Sequence, residues 1–165
     1  YDAIRFLRQS NTDSLTQLAN RRRGWRLLQT EISRAGRYQA PLAVILFDID
    51  HFKQVNDRFG HLKGDHLLEA LAVVLQKEVR SPDVLVRWGG EEFLVILTNT
   101  DHGGAKETAE RLRRCVATEC NYGDIQVTAS FGVAQWQAGQ SVDALVQAAD
   151  TRLYQAKDKG RNQVE

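Results

Sequence analysis

The hydrophobic and polar positions predict nine elements along the chain. TDSLTQLANRRRGW carries turn and cap chemistry, with Asp13, Ser14 and Asn20 all suited to helix N-caps. From Arg21 onward, Trp25, Leu28, Ile32 and Ala35 recur at helical spacing. PLAVILFDID is a continuous apolar run ending in acids, the pattern of a central strand buried on both faces. HFKQVNDRFG predicts a short helix stopped by Gly60. GDHLLEALAVVLQKEVR predicts a longer one, with Leu67, Leu68, Leu71, Leu75 and Val79 on one side and Pro82 forbidding its continuation. Residues 84–88 and 93–98 read as two short strands joined through Gly-Gly-Glu-Glu, a hairpin signal. GGAKETAERLRRCVATEC is a helix with charges along one face, and IQVTASFGVAQW alternates like a strand. In the last helix Val142, Leu145, Ala149, Leu153 and Ala156 repeat at 3.6-residue spacing, and Gly160 stops it.

This βααββαβ order folds most simply as a ferredoxin-like α+β domain. The plan is a mainly antiparallel sheet with flanking helices packed on one face. With no internal repeat or linker, residues 13–165 form one domain. Residues 1–12, YDAIRFLRQSNT, read as the end of a connecting helix arriving from upstream.

Composition narrows the class. A length of 165 residues supports one real core, and 42% hydrophobic with 26% charged residues is ordinary for a soluble globular domain. The net charge of +1 gives no argument for a nucleic-acid or membrane partner. No apolar run reaches the ~18 residues of a membrane span, and no signal peptide is expected. Cys115 and Cys120 are five apart, about 500° of helix rotation, so they point in different directions and read as reduced thiols of a cytosolic protein. The chain has no methionine, as expected of a domain whose N-terminal neighbour is missing.

Candidate chemistry starts with acids where strands end. Asp48 and Asp50 are two apart, so both side chains leave the same face. Glu91 and Glu92 sit at the hairpin turn, and pairing of that hairpin with the first strand brings all these acids to one end of the sheet. Carboxylates held together repel and partly protonate unless a cation joins them. Oxygen ligands without a His or Cys cluster point to Mg²⁺ or Mn²⁺ and to metal-assisted phosphoryl or nucleotidyl transfer. The competing reading is solvated strand ends and helix caps. Gly89 and Gly90 can take positive φ, and they leave room for a ligand beside the backbone. A tight turn alone accounts for them too.

Amides near Phe52 and Lys53 open a helix and suit an anion. Lys157 and Arg161, four apart, suit phosphates or merely neutralise a helix C-terminus. Asn56 and Asp65 offer an amide and a carboxylate to a base. A carboxylate matches guanine, which presents two N–H donors together, although Asp65 also reads as the residue beginning a helix.

These blocks resemble the GGDEF domain, the catalytic domain of bacterial diguanylate cyclases. The signature stands here as RWGGEEF. DSLTQLANRR, DIDHFKQVNDRFGHLKGD, TASFGVA and ADTRLYQAKDKGRNQV resemble the family's other blocks, in order from Asp13 to Val164. The resemblance implies condensation of two GTP into cyclic di-GMP and two pyrophosphates, across a homodimer in which each domain holds one GTP. It also implies two Mg²⁺ or Mn²⁺ per half-site, bound by Asp48, Glu91 and the Ile49 carbonyl, with Glu92 accessory. Glu91 also helps deprotonate the 3′-hydroxyl; Asn56 and Asp65 recognise guanine; Phe52 and Lys53 amides, Lys53, Lys157 and Arg161 hold phosphates; Gly89 and Gly90 make room for the nucleotide. RSPD supplies Arg80 and Asp83 in the Arg-x-x-Asp pattern of the family's inhibitory product site, with Arg111 as a second arginine. Out of context, Arg80 and Asp83 merely end a helix and start a turn. Gln17 and Ala19 replace the family's usual Gly and Pro, which is expected to alter turn stiffness only. The resemblance further implies a cytoplasmic domain under an upstream sensory or regulatory part, compatible with membrane attachment of the full-length protein. Two other readings remain at this point: a non-catalytic receptor for cyclic di-GMP or GTP, and a nucleotidyl cyclase acting on one nucleotide, since the fold plan is similar to those catalytic domains.

Overall fold

The computed structural model describes residues 3–4 and 10–165, so most of the connecting helix read over residues 1–12 lies outside the described residues. The described elements run β1 (Ala19–Asn20), α1 (Arg21–Tyr38), β2 (Leu42–Ile49), α2 (Phe52–Phe59), α3 (His61–Glu78), β3 (Val84–Arg87), β4 (Glu92–Thr98), α4 (His102–Glu119), β5 (Ala129–Gln135) and α5 (Val142–Asp158). They form one sheet of order β1-β3-β4-β2-β5, antiparallel except for the two-residue β1, which pairs parallel with β3. The βααββαβ core is therefore as expected; β1 is the addition.

All eight residues of β2 are buried, because both faces are covered. Ala43, Ile45, Phe47 and Ile49 face α2, α3 and α4, whereas Leu42, Val44 and Leu46 face α1 and α5. The expectation of helices on one face alone is thus corrected. An apolar run without alternation needs cover on both sides, and the helices divide between them. Phe47 stacks between Phe93 and Phe131, with ring centroids 5.3 and 4.7 Å apart.

Asn20 caps α1 by accepting from the Arg23 N–H at 3.0 Å. Before it, Asp13 Oδ2 accepts from Thr16 N and Oγ1 at 2.9 and 2.6 Å, closing a turn in which Gln17 has φ 61°. Gln17 thus does more than set stiffness: it holds a left-handed conformation that glycine adopts without strain. Among the described residues, no helix is long and apolar enough to cross a membrane.

β5 meets α5 at Gly132, where a Cβ would overlap the Ala149 carbonyl oxygen and the Leu153 nitrogen. Both are backbone atoms of a helix interior and cannot swing aside. Gly132→Ala is therefore expected to destabilise the domain near the upper end of the about 1–3 kcal/mol typical of overpacking. A denaturant midpoint equal to wild type contradicts this.

Candidate active site

The end of β2 sets the site. Asp48 pairs in register with Glu92 on β4 and with Ser130 on β5, and the Ile49 N–H donates to the Glu91 carbonyl at 3.4 Å. The hairpin turn is thereby folded over the strand end. Burial, the Asp48 charge and little else raise the Glu91 carboxyl above its ordinary range, although Lys157 opposes the shift. Burial, Asp48 and Asp150 raise Glu92, against Lys157 and Arg21. Burial raises Asp48 as well, despite a 2.7 Å ion pair from Lys157 Nζ to its Oδ2. Carboxylates drawn together against their own repulsion are the donor set that Mg²⁺ or Mn²⁺ takes, so these residues fit the implied cation.

The turn itself is tied from below. Arg87 Nη2 donates to the Gly90 carbonyl at 2.7 Å and Nε to that of Gly89 at 3.3 Å, while Nη1 grips Asp13 at 3.0 Å. Burial pushes the Asp13 carboxyl up, but hydrogen bonds from Thr16 and Arg87 more than reverse it and leave it below its ordinary value. Neither Asp13 nor Arg87 was read as part of a site. The available signal was an arginine at the end of a buried strand, next to two glycines. Gly89 and Gly90 do not use their freedom to take positive φ, whereas Gly60, Gly123, Gly139 and Gly160 do. Their use is spatial. A Cβ at Gly90 would meet open space, and one at Gly89 would press on Glu92 Cβ at 3.3 Å.

Asp50 is not a free ligand beside Asp48. Its oxygens accept from Thr128 Oγ1, Ser130 Oγ and the Asn162 N–H. Lys157 and Arg161 are brought to the acidic cluster, and both lower the Asp48 carboxyl against the pull of burial. Lys157 here contacts Asp48 directly.

On the other side of the strand end, α2 begins after His51 with no side-chain cap hydrogen bond among the described residues, which leaves its first amides, at Phe52 and Lys53, uncapped there. Phe52 is buried and Lys53 exposed. Farther along α2, the Asn56 Oδ1 is buried without a hydrogen-bond partner among the described residues. It lies against Gly64 of α3, where a Cβ would overlap it. Asp65 is the next residue and is exposed. It does not begin α3: the helix starts at His61, because Gly60 at φ 91° lets the chain turn and restart at once. A cavity of about 520 Å³ lies along the opposite face of α2, lined by His51, Gln54, Arg58 and Asp124, away from Asn56.

The third group lies at the far end of the hairpin. Arg80, exposed beyond α3, stands 3.8 Å from Asp83 Oδ2. The Asp83 side chain is only 4% exposed and accepts from the Thr98 N–H at 3.1 Å. Arg111 of α4 donates to the Glu78 carbonyl at 3.0 Å. Five residues, the four of β3 and Trp88, separate Asp83 from Gly89, about 20 Å at strand rise. Cys115 and Cys120 are both free and buried, and burial pushes each thiol up to about 12.

The family described as "Diguanylate cyclase, GGDEF domain" matches residues 10–163. Diguanylate cyclase DosC of Escherichia coli is 39% identical over 157 residues, covering 93% of this chain and 34% of its own length. Diguanylate cyclase DgcP of Pseudomonas aeruginosa is 39% identical over 158 residues, covering 93% of this chain and 23% of its own. The chain thus spans about a third or less of these relatives. Among solved structures, the coiled coil and GGDEF domain of DgcB from Caulobacter crescentus, in complex with c-di-GMP, has a TM-score of 0.91 at 30% identity. It covers 99% of this chain and 88% of that one. SiaD of Pseudomonas aeruginosa, in complex with its activator SiaC, has a TM-score of 0.91 at 37% identity, over 99% of this chain and 64% of that one. With its RWGGEEF turn folded over Asp48, the chain belongs to the GGDEF domain family of diguanylate cyclases.

Proposed function

We propose that this domain condenses two molecules of GTP into cyclic di-GMP, each bound by one domain of a homodimer. The observation that carries the reading is the convergence of Asp48, Glu91 and Glu92, all raised, beside Lys157 and Arg161. Asp48, Glu91 and the Ile49 carbonyl, with Glu92 accessory, would hold two Mg²⁺ or Mn²⁺, and bound there the ions would supply charge neutralisation for the triphosphate and a lower pKa for the hydroxyl. Glu91 takes the proton of the 3′-hydroxyl. The O3′–Pα bond then forms as the bond from Pα to the bridging oxygen breaks, and pyrophosphate leaves. Two such steps close the ring. Lys53, Lys157, Arg161 and the Phe52 and Lys53 amides bind phosphates. Gly89 and Gly90 give the nucleotide room over the turn. The orphan Asn56 Oδ1 accepts from guanine, and Asp65 takes its paired N–H donors. One domain supplies half of the reacting pair, so dimerisation provides proximity.

Incubation with GTP and Mg²⁺ followed by mass spectrometry tests the reading. Cyclic di-GMP supports it. Cyclic GMP makes the domain a nucleotidyl cyclase instead, and tight cyclic di-GMP binding without turnover makes it a receptor.

The Arg80, Asp83 and Arg111 patch is proposed as the site of product inhibition. Arg80 is the exposed member and offers a planar fork to a phosphate or a guanine edge, whereas Asp83 is occupied by Thr98. Arg80→Ala is expected to raise the cyclic di-GMP concentration for half-inhibition about tenfold, the effect of one charge-assisted contact, without lowering the uninhibited rate. An unchanged inhibition curve removes the assignment.

A further inference from the structure

Asp50 lies two residues beyond Asp48, yet the residue is only 6% exposed and protein groups surround its carboxyl. Oδ2 accepts from Thr128 Oγ1 at 2.6 Å and from the Asn162 N–H at 3.0 Å; Oδ1 accepts from Ser130 Oγ at 2.6 Å. The Asn162 contact reaches the segment that follows α5. There Arg161 and Asn162 stand at φ 65° and 46°, two successive left-handed residues, neither of them glycine. Such a pair is costly and persists only where its surroundings over-determine it.

The determinants are visible. The Arg161 N–H donates to the Ala156 carbonyl at 3.0 Å, which closes the end of α5. The Asn162 N–H is fixed by Asp50. The Asn162 Oδ1 accepts from Arg113 Nη1 of α4 at 2.9 Å, and Glu110 holds Arg113 in a fork at 2.9 and 2.6 Å. Beyond it, the Gln163 carbonyl and Glu165 N–H bond to Phe131 on β5, each at 3.0 Å. Arg161 is therefore attached to a backbone clamped from Asp50 just beyond β2 and from α4, α5 and β5, and its charge acts on Asp48.

We propose that Asp50 is a positioning residue for phosphate binding. Acting through Asn162, with Arg113 as second anchor, it holds Arg161 where the nucleotide's phosphates lie beside Asp48. The assignment rests on the cyclase reading for the ligand's identity, but on the Asp50–Asn162–Arg113 linkage for its geometry. A carboxyl serving only the fold would weaken every ligand through loss of folded protein. One acting through Arg161 weakens phosphates alone.

The test measures binding of GTP, inorganic tripolyphosphate and guanosine to the chain with Mg²⁺, by calorimetry. Asp50→Ala is expected to weaken GTP and tripolyphosphate about tenfold and guanosine by less than about twofold, the loss of one charge-assisted contact. Asp50→Asn keeps an acceptor for the Asn162 N–H and is expected to restore most of the loss. In an Arg161→Ala background, Asp50→Ala is expected to have no further effect. Asn162→Gly retains the left-handed backbone and its N–H but drops the Arg113 contact. It carries the test if Asp50→Ala fails to fold, with an expected loss of about threefold confined to the phosphates. Unchanged tripolyphosphate affinity in whichever variant folds, equal weakening of guanosine, or additive losses with Arg161→Ala overturns the proposal; wild-type turnover of GTP then leaves the cyclase reading standing. Phosphate binding that depends on Asp50 in a wild type that makes no cyclic di-GMP supports the positioning role and removes the cyclase reading. Wild type that binds neither GTP nor tripolyphosphate overturns both.

Discussion

Glu91→Gln is expected to lower cyclic di-GMP formation by about 10³-fold or more, while the variant folds at least as well as wild type. On the proposed reading, the rate follows from two losses at one position: a cation ligand and the base for the 3′-hydroxyl, the second alone worth about 10²–10⁴-fold. The stability follows from electrostatics. Glu91 is raised by burial and by the Asp48 charge, so ionising it opposes folding in the absence of a cation. A neutral isostere removes that opposition. Loss of activity together with a lower melting temperature would instead mark Glu91 as a structural residue of the turn, and near-wild-type turnover would remove it from the chemistry altogether.

The same cluster fixes the sign of a pH effect. The carboxyls of Asp48, Glu91 and Glu92 are all shifted upward on folding, so in the window between unfolded and folded values the native state binds more protons. The cluster's contribution to stability then falls as pH rises through that window, and the penalty is fully present above it. Mg²⁺ meets ionised carboxylates, and so raises the melting temperature more near pH 7 than in the acidic window. For Glu91→Gln that Mg²⁺ increment shrinks. An increment independent of pH and of Glu91 argues that the ion binds elsewhere.

The order of elements along the chain and the acidic cluster were legible because the signals were local. An eight-residue apolar run and two glutamates on a glycine turn need no distant partner to be noticed. The division of helices between two faces was not, since periodicity shows that a helix has a buried face without showing which side of the sheet receives it. Gly89 and Gly90 looked like handedness devices, but only backbone geometry separates positive φ from mere clearance. Asp48 and Asp50 share a strand end and an expected face, yet one faces Lys157 and the other Thr128, Ser130 and Asn162. Those hydroxyls lie about 80 positions away in sequence, where no local pattern links them. Arg87 and Asp13 were missed for the same reason, being 74 positions apart.

Selectivity for guanine is the second large effect, and GTP is expected to be preferred over ATP by about 10⁴-fold in kcat/KM. The surface proposed for the base carries Asn56 Oδ1, a buried acceptor without a partner among the described residues, and the exposed residue Asp65 one position past Gly64. Guanine brings two adjacent N–H donors to such acceptors. Adenine presents a lone pair at the ring position where guanine carries N–H, so its binding leaves the acceptors unpaired and in repulsion. A site whose buried polar atoms lose their partners discriminates far more strongly than one that merely loses apolar contact. Asp65→Ala keeps the helix, because alanine suits the interior of α3. It is expected to reduce kcat/KM for GTP by about 10²-fold while leaving ATP turnover nearly unchanged, so that the preference contracts from one side. Gly64→Ala presses a methyl group onto Asn56 and is expected to contract it likewise without touching Asp65. If both variants retain wild-type preference, the base is read elsewhere, and the orphan oxygen of Asn56 has another purpose.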